Sequence, residues 1–189
     1  MAQTAFQKKF NGLRIVLFGP ESTGKTTLSK QLAHHFDTIA VPEYAREYLQ
    51  HKMNHTGKIC EYHDLIPICK GQLALENDAV NSAHKFLFCD TDALETWTYS
   101  QLYFDKAPSE IAHIIDNTHY DFYLLMDVDI PWVKDDLRDR PDDRQAIMNR
   151  FRKALKDHDK NYAVISGIEN QRFENALTAI TNHYENETI

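Results

Sequence analysis

Eight consecutive residues, Gly19-Pro20-Glu21-Ser22-Thr23-Gly24-Lys25-Thr26, carry the spacing G-x-x-x-x-G-K-[ST]. That spacing suits the holding of a chain of phosphates. The two glycines permit a tight turn whose backbone amides point inward. Leu28, Leu32, Ala33 and Phe36 then recur at helical intervals, so a helix N-terminus, with its free N–H groups and positive dipole end, stands behind the turn. Lys25 is placed to reach β- and γ-phosphates, and Thr26 to offer its hydroxyl to Mg²⁺. Gly19, Glu21, Ser22, Thr23, Gly24, Lys25, Thr26 and Thr27 are the candidate nucleotide-binding residues, for ATP or GTP.

Three acids follow short apolar runs and could work opposite those phosphates. Glu43 comes after Thr38 to Val41, and Asp90 and Asp92 come after Phe86 to Cys89. Asp90 is placed to hold Mg²⁺ through water, because that ion takes hard oxygen ligands. Asp92 could bind an acceptor hydroxyl or take its proton, and Glu43 could do either from across a cleft. Capping of the next helix is the competing role for Asp90 and Asp92. Arg46, one turn after Glu43, either pairs with an acid or touches a substrate.

A second charged group lies later in the chain. Between Asp129 and Arg144, sixteen positions hold six aspartates and four basic residues. A lid over about 129–150 would bring Arg138, Arg140 and Arg144 over a transferred phosphate, neutralise its charge and exclude water. The aspartates would pair these arginines in the meantime, and a solvated charged surface is the alternative. Tyr44, Tyr48, Tyr62, Trp97, Tyr99 and Tyr103 fall in segments expected to crown the strand ends, where a planar acceptor ring would stack. Asp64 and Gln72, near or on a long helix beside that site, could bind ribose or amide groups. No N-K-x-D base-reading tetrapeptide follows the fourth strand, so base contacts are expected near Gly167 to Arg172. The ten histidines form no H-E-x-x-H or comparable metal grouping.

These residues need elements to position them. Arg14 to Phe18, Thr38 to Val41, Phe86 to Cys89, Phe122 to Met126 and Tyr162 to Ile165 are short apolar runs that read as strands. Helical spacing covers Lys25 to Phe36, Glu43 to His51, Leu65 to Ala83 with Pro67 in its first turn, Leu94 to Phe104, Glu110 to Ile115, Ile147 to Leu155 and Phe173 to Ile180. A loop is expected over His55 to Lys58. Strands alternating with helices give an α/β fold, a parallel five-stranded sheet with helices on both faces in three layers, plus a helical lid. Such a sheet binds ligands outside the carboxyl ends of its strands.

Composition narrows the classes further. At 189 residues the chain is expected to form a single domain over 1–189. Hydrophobic residues make up 42% and charged residues 26%, which excludes a disordered or low-complexity chain. The formal charge of -7 disfavours a nucleic-acid surface. No run approaches a spanning helix, so no membrane partner is expected. Cys60, Cys69 and Cys89 form no zinc or disulfide spacing, and the first residues lack a signal peptide's apolar stretch and cleavage site. Both point to a cytoplasmic setting.

Taken in order, G-P-E-S-T-G-K-T at 19–26, P-E-Y-A-R-E-Y at 42–48, Y-H-D at 62–64, G-Q at 71–72, D-T-D at 90–92, P-W-V-K-D-D-L-R at 131–138 and Arg144 resemble the ribosylnicotinamide kinase domain of NadR-type proteins. This is a P-loop nucleoside kinase-like, AAA-type ATPase-like domain. The resemblance implies transfer of the ATP γ-phosphate to the 5′-hydroxyl of nicotinamide riboside, giving nicotinamide mononucleotide, with Mg²⁺ as cofactor. It implies that Asp90 and Asp92 serve metal and ribose or acceptor hydroxyl, that Glu43 lines the acceptor site, and that Arg138 and Arg144 belong to the lid. Substrate contacts are expected from Glu43, Tyr44, Arg46, Asp64, Gln72, Asp92 and Trp97. Pro42 stands where the family often has Trp, so ring stacking passes to Tyr44, Trp97 or Tyr99, or the acceptor is another nucleoside. No H-x-G-H motif for adenylyl transfer is present, so the reaction is expected to stop at the mononucleotide. A nucleotide-dependent ATPase or binding module is the alternative of a different class.

Overall fold

The computed structural model describes residues 6–138 and 140–187, with side chains to residue 185, so Asp139 of the charged run lies outside the described residues. The strands are β1 (Leu13–Phe18), β2 (Ile39–Val41), β3 (Phe86–Asp90), β4 (Phe122–Met126) and β5 (Tyr162–Ile165). The helices are α1 (Lys25–His35), α2 (Tyr44–Thr56), α3 (Leu65–Ala79), α4 (Ala93–Phe104), α5 (Ser109–Asp116), α6 (Arg144–Asp157) and α7 (Asn170–Glu187), with a single 3-10 turn at Tyr62–Asp64. All strands are parallel, in the order β2-β3-β1-β4-β5. Among the described residues, no helix is long and apolar enough to cross a membrane.

The continuous apolar runs have a direct cause: each central strand is buried on both faces. Ile15 and Leu17 of β1 join Phe86, Phe88, Leu124 and Met126 against Leu28 and Leu32 of α1 and Ala176 and Ile180 of α7. Their neighbours Val16 and Phe18 point the other way, with Leu87, Cys89, Tyr123 and Leu125, against Leu94 of α4, Ile111 of α5 and Ile147, Met148 and Phe151 of α6. Alternation along a strand therefore fills two cores instead of one core and a wet face. Each buried Leu, Ile or Phe adds roughly 1.5–3 kcal/mol of transfer free energy. Phe18 and Phe151, 4.9 Å between ring centroids, fix α6 over the end of β1.

The register sets the site. β1 and β3 pair with Leu17 level with Asp90, and the Thr91 N–H donates to the Leu17 carbonyl at 3.2 Å. The turn after β1 and the acids after β3 thus emerge side by side.

Several boundaries differ from the sequence reading. Strand β2 starts at Ile39, because the Thr38 hydroxyl turns aside to donate to the Phe86 carbonyl at 2.5 Å. Helix α2 runs on to Thr56 and stops at Gly57, whose φ of 67° makes it a left-handed cap, so the expected loop at His55 begins two residues later. Helix α6 starts at Arg144, within the stretch expected as lid, and buries Ile147 and Met148 in the core. Gly71 of α3 has a packing reason to be glycine: a Cβ there would lie 2.1 Å from the Tyr44 ring.

One buried acid makes stability depend on pH. Glu76 of α3 is fully buried and accepts the Tyr120 hydroxyl at 2.9 and 3.1 Å. Burial pushes its carboxyl up to about 8, against the Tyr120 bond and Arg14, which favour ionisation. In the unfolded chain it ionises near 4.5. Between those values the folded state binds more protons, so this group's contribution is present at low pH and is lost as pH rises toward 8. Glu76→Gln is expected to melt several degrees above the parent at pH 8 and much closer to it at pH 5, at about 2–4 °C per kcal/mol. Equal differences at both pH values in a thermal melt would contradict this.

Candidate active site

The phosphate turn is built as its spacing requires. Gly19 (φ 143°) and Gly24 (φ 82°) take conformations that L side chains rarely adopt, and a Cβ on Gly19 would sit 3.0 Å from the Met126 carbonyl oxygen. The Thr23 hydroxyl closes the loop on the Pro20 carbonyl at 2.7 Å. Lys25 curls back over the turn. Its ammonium donates to the carbonyls of Gly19 (2.6 Å) and Pro20 (3.1 Å) and pairs with Glu95 at 3.1 Å. Thr27 is exposed in the first turn of α1.

Across the β1–β3 edge, the Thr26 hydroxyl donates to Asp90 Oδ2 at 2.5 Å. The other oxygen, Oδ1, is buried and has no hydrogen-bond partner among the described residues. A buried carboxylate oxygen left this way costs about 1–3 kcal/mol or more. A divalent cation or its bound water would satisfy it. Thr26 and Asp90 therefore fit Mg²⁺. Burial raises the Asp90 carboxyl above its ordinary value, while Lys25, the Thr26 bond and Lys30 pull it down.

Glu43 ends the loop after β2 as the N-cap residue of α2. Its carboxylate accepts no hydrogen bond among the described residues. Burial raises its pKa and Asp90 adds to that, while Lys25, Arg46 and Arg138 lower it. Lys25, Asp90, Arg46 and Arg138 thus all act electrostatically on Glu43, at the carboxyl-end side of the sheet. The net result is a carboxylate with more basicity than an exposed one and with cations facing it.

The described part of the charged run packs against the phosphate turn and pairs its arginines with aspartates. Arg138 pairs with Asp135 at 3.0 Å and donates to the Val133 carbonyl at 2.7 Å. Asp135 also takes Arg46 of α2 at 2.9 Å, so the pairing role drawn for Arg46 is the one seen. Arg140 pairs with Asp143 at 3.3 Å and lies over the Tyr103 ring. The run is tied to the turn as well: the Val133 N–H donates to Ser22 Oγ at 2.8 Å, and the Trp132 ring N–H and the Arg140 N–H donate to Glu21 Oε1, each at 3.4 Å. Arg144 donates to the Ile130 and Ser22 carbonyls at 2.6 and 3.1 Å, gripping the outside of the turn.

Four expected substrate residues make contacts within the protein. Asp92 is 2% exposed and both its oxygens are taken, Oδ1 by the Glu95 N–H at 3.0 Å and Oδ2 by the Tyr123 hydroxyl at 2.7 Å. It is the N-cap of α4, and it is pushed up to about 6 by burial. The capping role drawn for Asp92 is thus present in this geometry. Asp64 takes the Tyr48 hydroxyl, the Glu61 N–H and Lys52. Gln72 accepts the Tyr44 N–H at 2.9 Å, which seats the start of α2 and hence Glu43. Trp97 packs on His158, in a small recess of about 240 Å³ that it shares with Gln101 and Arg150. Arg172, in the stretch expected to meet the base, is buried under the carbonyls of Thr23, Ile165 and Gly167 and pairs with Asp129. Ile168, in the same loop, is 59% exposed.

Sequence reasoning missed Glu95. It is 4% exposed on α4, and its Oε2 accepts the Gly19 N–H at 3.3 Å. One turn later, the Tyr99 hydroxyl accepts the Glu21 N–H at 2.9 Å. Helix α4 therefore braces the phosphate turn with two side chains. The available signal was the spacing Asp92-x-x-Glu95, which reads as a helix cap and conceals the second use of the acid.

Comparison with known proteins places this architecture. A family model, AAA_28, described as "AAA domain", matches residues 14–172. The chain belongs to this AAA domain family. Within curated proteins, the chain is 31% identical over 153 residues to the trifunctional NAD biosynthesis/regulator protein NadR of Salmonella typhimurium, covering 80% of this chain and 37% of that protein. It is 31% identical over 131 residues to the protein of the same name from Escherichia coli (strain K12), covering 69% and 32%. The chain thus spans about a third of the length of these relatives. Among solved structures, a crystal structure of NadR protein in complex with NR superposes with a TM-score of 0.74 at 24% identity, over 91% of this chain and 51% of the other. Deoxyadenosine kinase from M. mycoides superposes at 0.64 with 14% identity, over 92% and 100%. These structural likenesses carry the fold alone, a three-layer P-loop NTPase-like arrangement.

Proposed function

We propose that this member of the AAA domain family is an ATP-dependent kinase of a small nucleoside, with nicotinamide riboside as acceptor and its 5′-hydroxyl as the site of phosphorylation. The observation that carries the reading is the Thr26–Asp90 pair, 2.5 Å apart beside Lys25, with the second Asp90 oxygen unpartnered. A further acid, Glu43, interacts electrostatically with both Lys25 and Asp90. Similarity to NadR proteins and the motifs from 42 to 138 favour nicotinamide riboside among nucleosides.

In this reading the turn from Gly19 to Thr27 cradles the triphosphate, and Lys25 moves from its loop carbonyls to the β- and γ-phosphates. Thr26 and Asp90 would hold Mg²⁺, which supplies charge neutralisation on the phosphate oxygens when bound. Glu43 accepts the proton of the attacking hydroxyl, since it interacts with Lys25 and Asp90 and burial makes it a better base. Arg138 leaves Asp135 to neutralise the transferred group, and the run from 129 to 143 excludes water. Arg46, Tyr44 and the residues of α2 bound the acceptor side. Most of the rate comes from positioning and electrostatics, because little covalent chemistry falls to the protein. A cytoplasmic location accords with the free cysteines and is part of the proposal.

The test is ADP release coupled to a nucleoside panel that includes nicotinamide riboside and the common ribo- and deoxyribonucleosides. Strong stimulation by nicotinamide riboside alone supports the reading. Stimulation by another nucleoside moves the acceptor assignment, consistent with Pro42 in place of Trp. Slow hydrolysis indifferent to every nucleoside favours the ATPase or binding module.

A further inference from the structure

The three N–H donors of the Lys25 ammonium have three acceptors inside the protein: the carbonyls of Gly19 and Pro20 and the carboxylate of Glu95. A lysine cannot add a phosphate oxygen to that set without giving one up. The carbonyls belong to the turn and travel with it. Glu95 belongs to α4 and is the only charged partner of the three. From this geometry we infer that Glu95 is a positioning residue that competes with nucleotide phosphate for Lys25. It holds the ammonium inside the turn, releases it to an incoming triphosphate, and so sets nucleotide affinity below what the turn alone would give. The inference rests on nucleotide binding at this turn, the first part of the proposed function, and not on the identity of the acceptor.

The arrangement supplies both halves of such an exchange. In the resting position the pair is buried, where an ion pair at 3.1 Å is strongly held but each partner has lost its water. Glu95 keeps a second bond to the Gly19 N–H, so it stays in place when Lys25 leaves. The groups facing Glu95 are Lys25, Glu43, Asp90 and the Tyr99 ring. Two of these are acids, so a carboxylate abandoned by Lys25 is disfavoured. Burial raises the Glu95 carboxyl and Lys25 lowers it, so departure of the lysine favours the neutral acid. A brace alone would require only an acceptor for the Gly19 N–H.

The two roles predict opposite signs. Glu95→Gln keeps the length and an acceptor for Gly19 but removes the charge that competes for Lys25. By titration calorimetry with MgADP and with the non-hydrolysable ATP analogue AMP-PNP, Glu95→Gln is expected to bind about three- to tenfold more tightly than the parent. Glu95→Met, uncharged and of similar length, is expected to change affinity in the same direction, and thermal melts of both check folding. In a Lys25→Met background the gain from Glu95→Gln is expected to vanish, because the competition runs through the lysine. Unchanged or weaker binding by Glu95→Gln would overturn the inference and leave Glu95 as a brace. A persisting gain in the Lys25→Met background would also overturn it, as simple repulsion between Glu95 and phosphate. A parent chain that binds neither nucleotide would overturn the proposed function together with this inference.

Discussion

Lys25→Met is expected to lower phosphoryl transfer by about 10³-fold or more while the chain still folds. The lysine of the phosphate turn is buried, and its charge interacts with Glu95, Glu43 and Asp90. Burial lowers its pKa, but those three acids more than compensate, so it stays charged over the whole working range. Removing it takes away transition-state charge stabilisation where the low local dielectric makes such stabilisation strongest. It also leaves three carboxyl groups facing one another. The measurement is single-turnover transfer at saturating ATP, with a thermal melt as control for folding. A rate within about tenfold of the parent would remove Lys25 from the chemistry.

Glu43→Gln is expected to reduce kcat by about 10²- to 10⁴-fold, the range lost with a general base, while the KM for ATP changes little. The side chain accepts no bond from the described residues, so the amide is sterically neutral and the helix cap geometry of α2 is retained. Because burial raises the Glu43 carboxyl above its ordinary value, the parent's kcat is expected to fall as pH drops through that raised pKa, and the acid limb is expected to disappear in Glu43→Gln. A variant with normal kcat and weakened acceptor binding would make Glu43 a substrate ligand and pass the proton to solvent.

The sequence carried the phosphate turn and the strand segments well, because both depend on local rules. Glycines at 19 and 24 are needed at positive φ, and runs such as Phe122–Met126 are apolar because both their faces are covered. Those rules act within a few residues and leave their mark in the chain. Partner choice across the fold leaves no such mark. Asp92 looked like a functional acid, but its two oxygens go to the Glu95 N–H and to Tyr123, 31 residues away in sequence. Glu95 drew no reading from the sequence, yet it pairs with Lys25, brought beside it by the β1–β3 register. Trp97 lies on the same helix as Glu95 and Tyr99 but faces α6, which spacing alone could not decide before α6 was placed. The end of α2 was misjudged because His51 and His55 break the apolar pattern, whereas Gly57 sets the stop.

The central claim is that one cleft passes a phosphoryl group from nucleotide to a small hydroxyl. The most direct measurement follows the γ-phosphorus of labelled ATP in a single reaction with nicotinamide riboside. The label is expected in nicotinamide mononucleotide, with little released as inorganic phosphate and none of the transfer surviving in Lys25→Met. Label that appears only as inorganic phosphate, at a rate the nucleoside does not alter, would contradict the account.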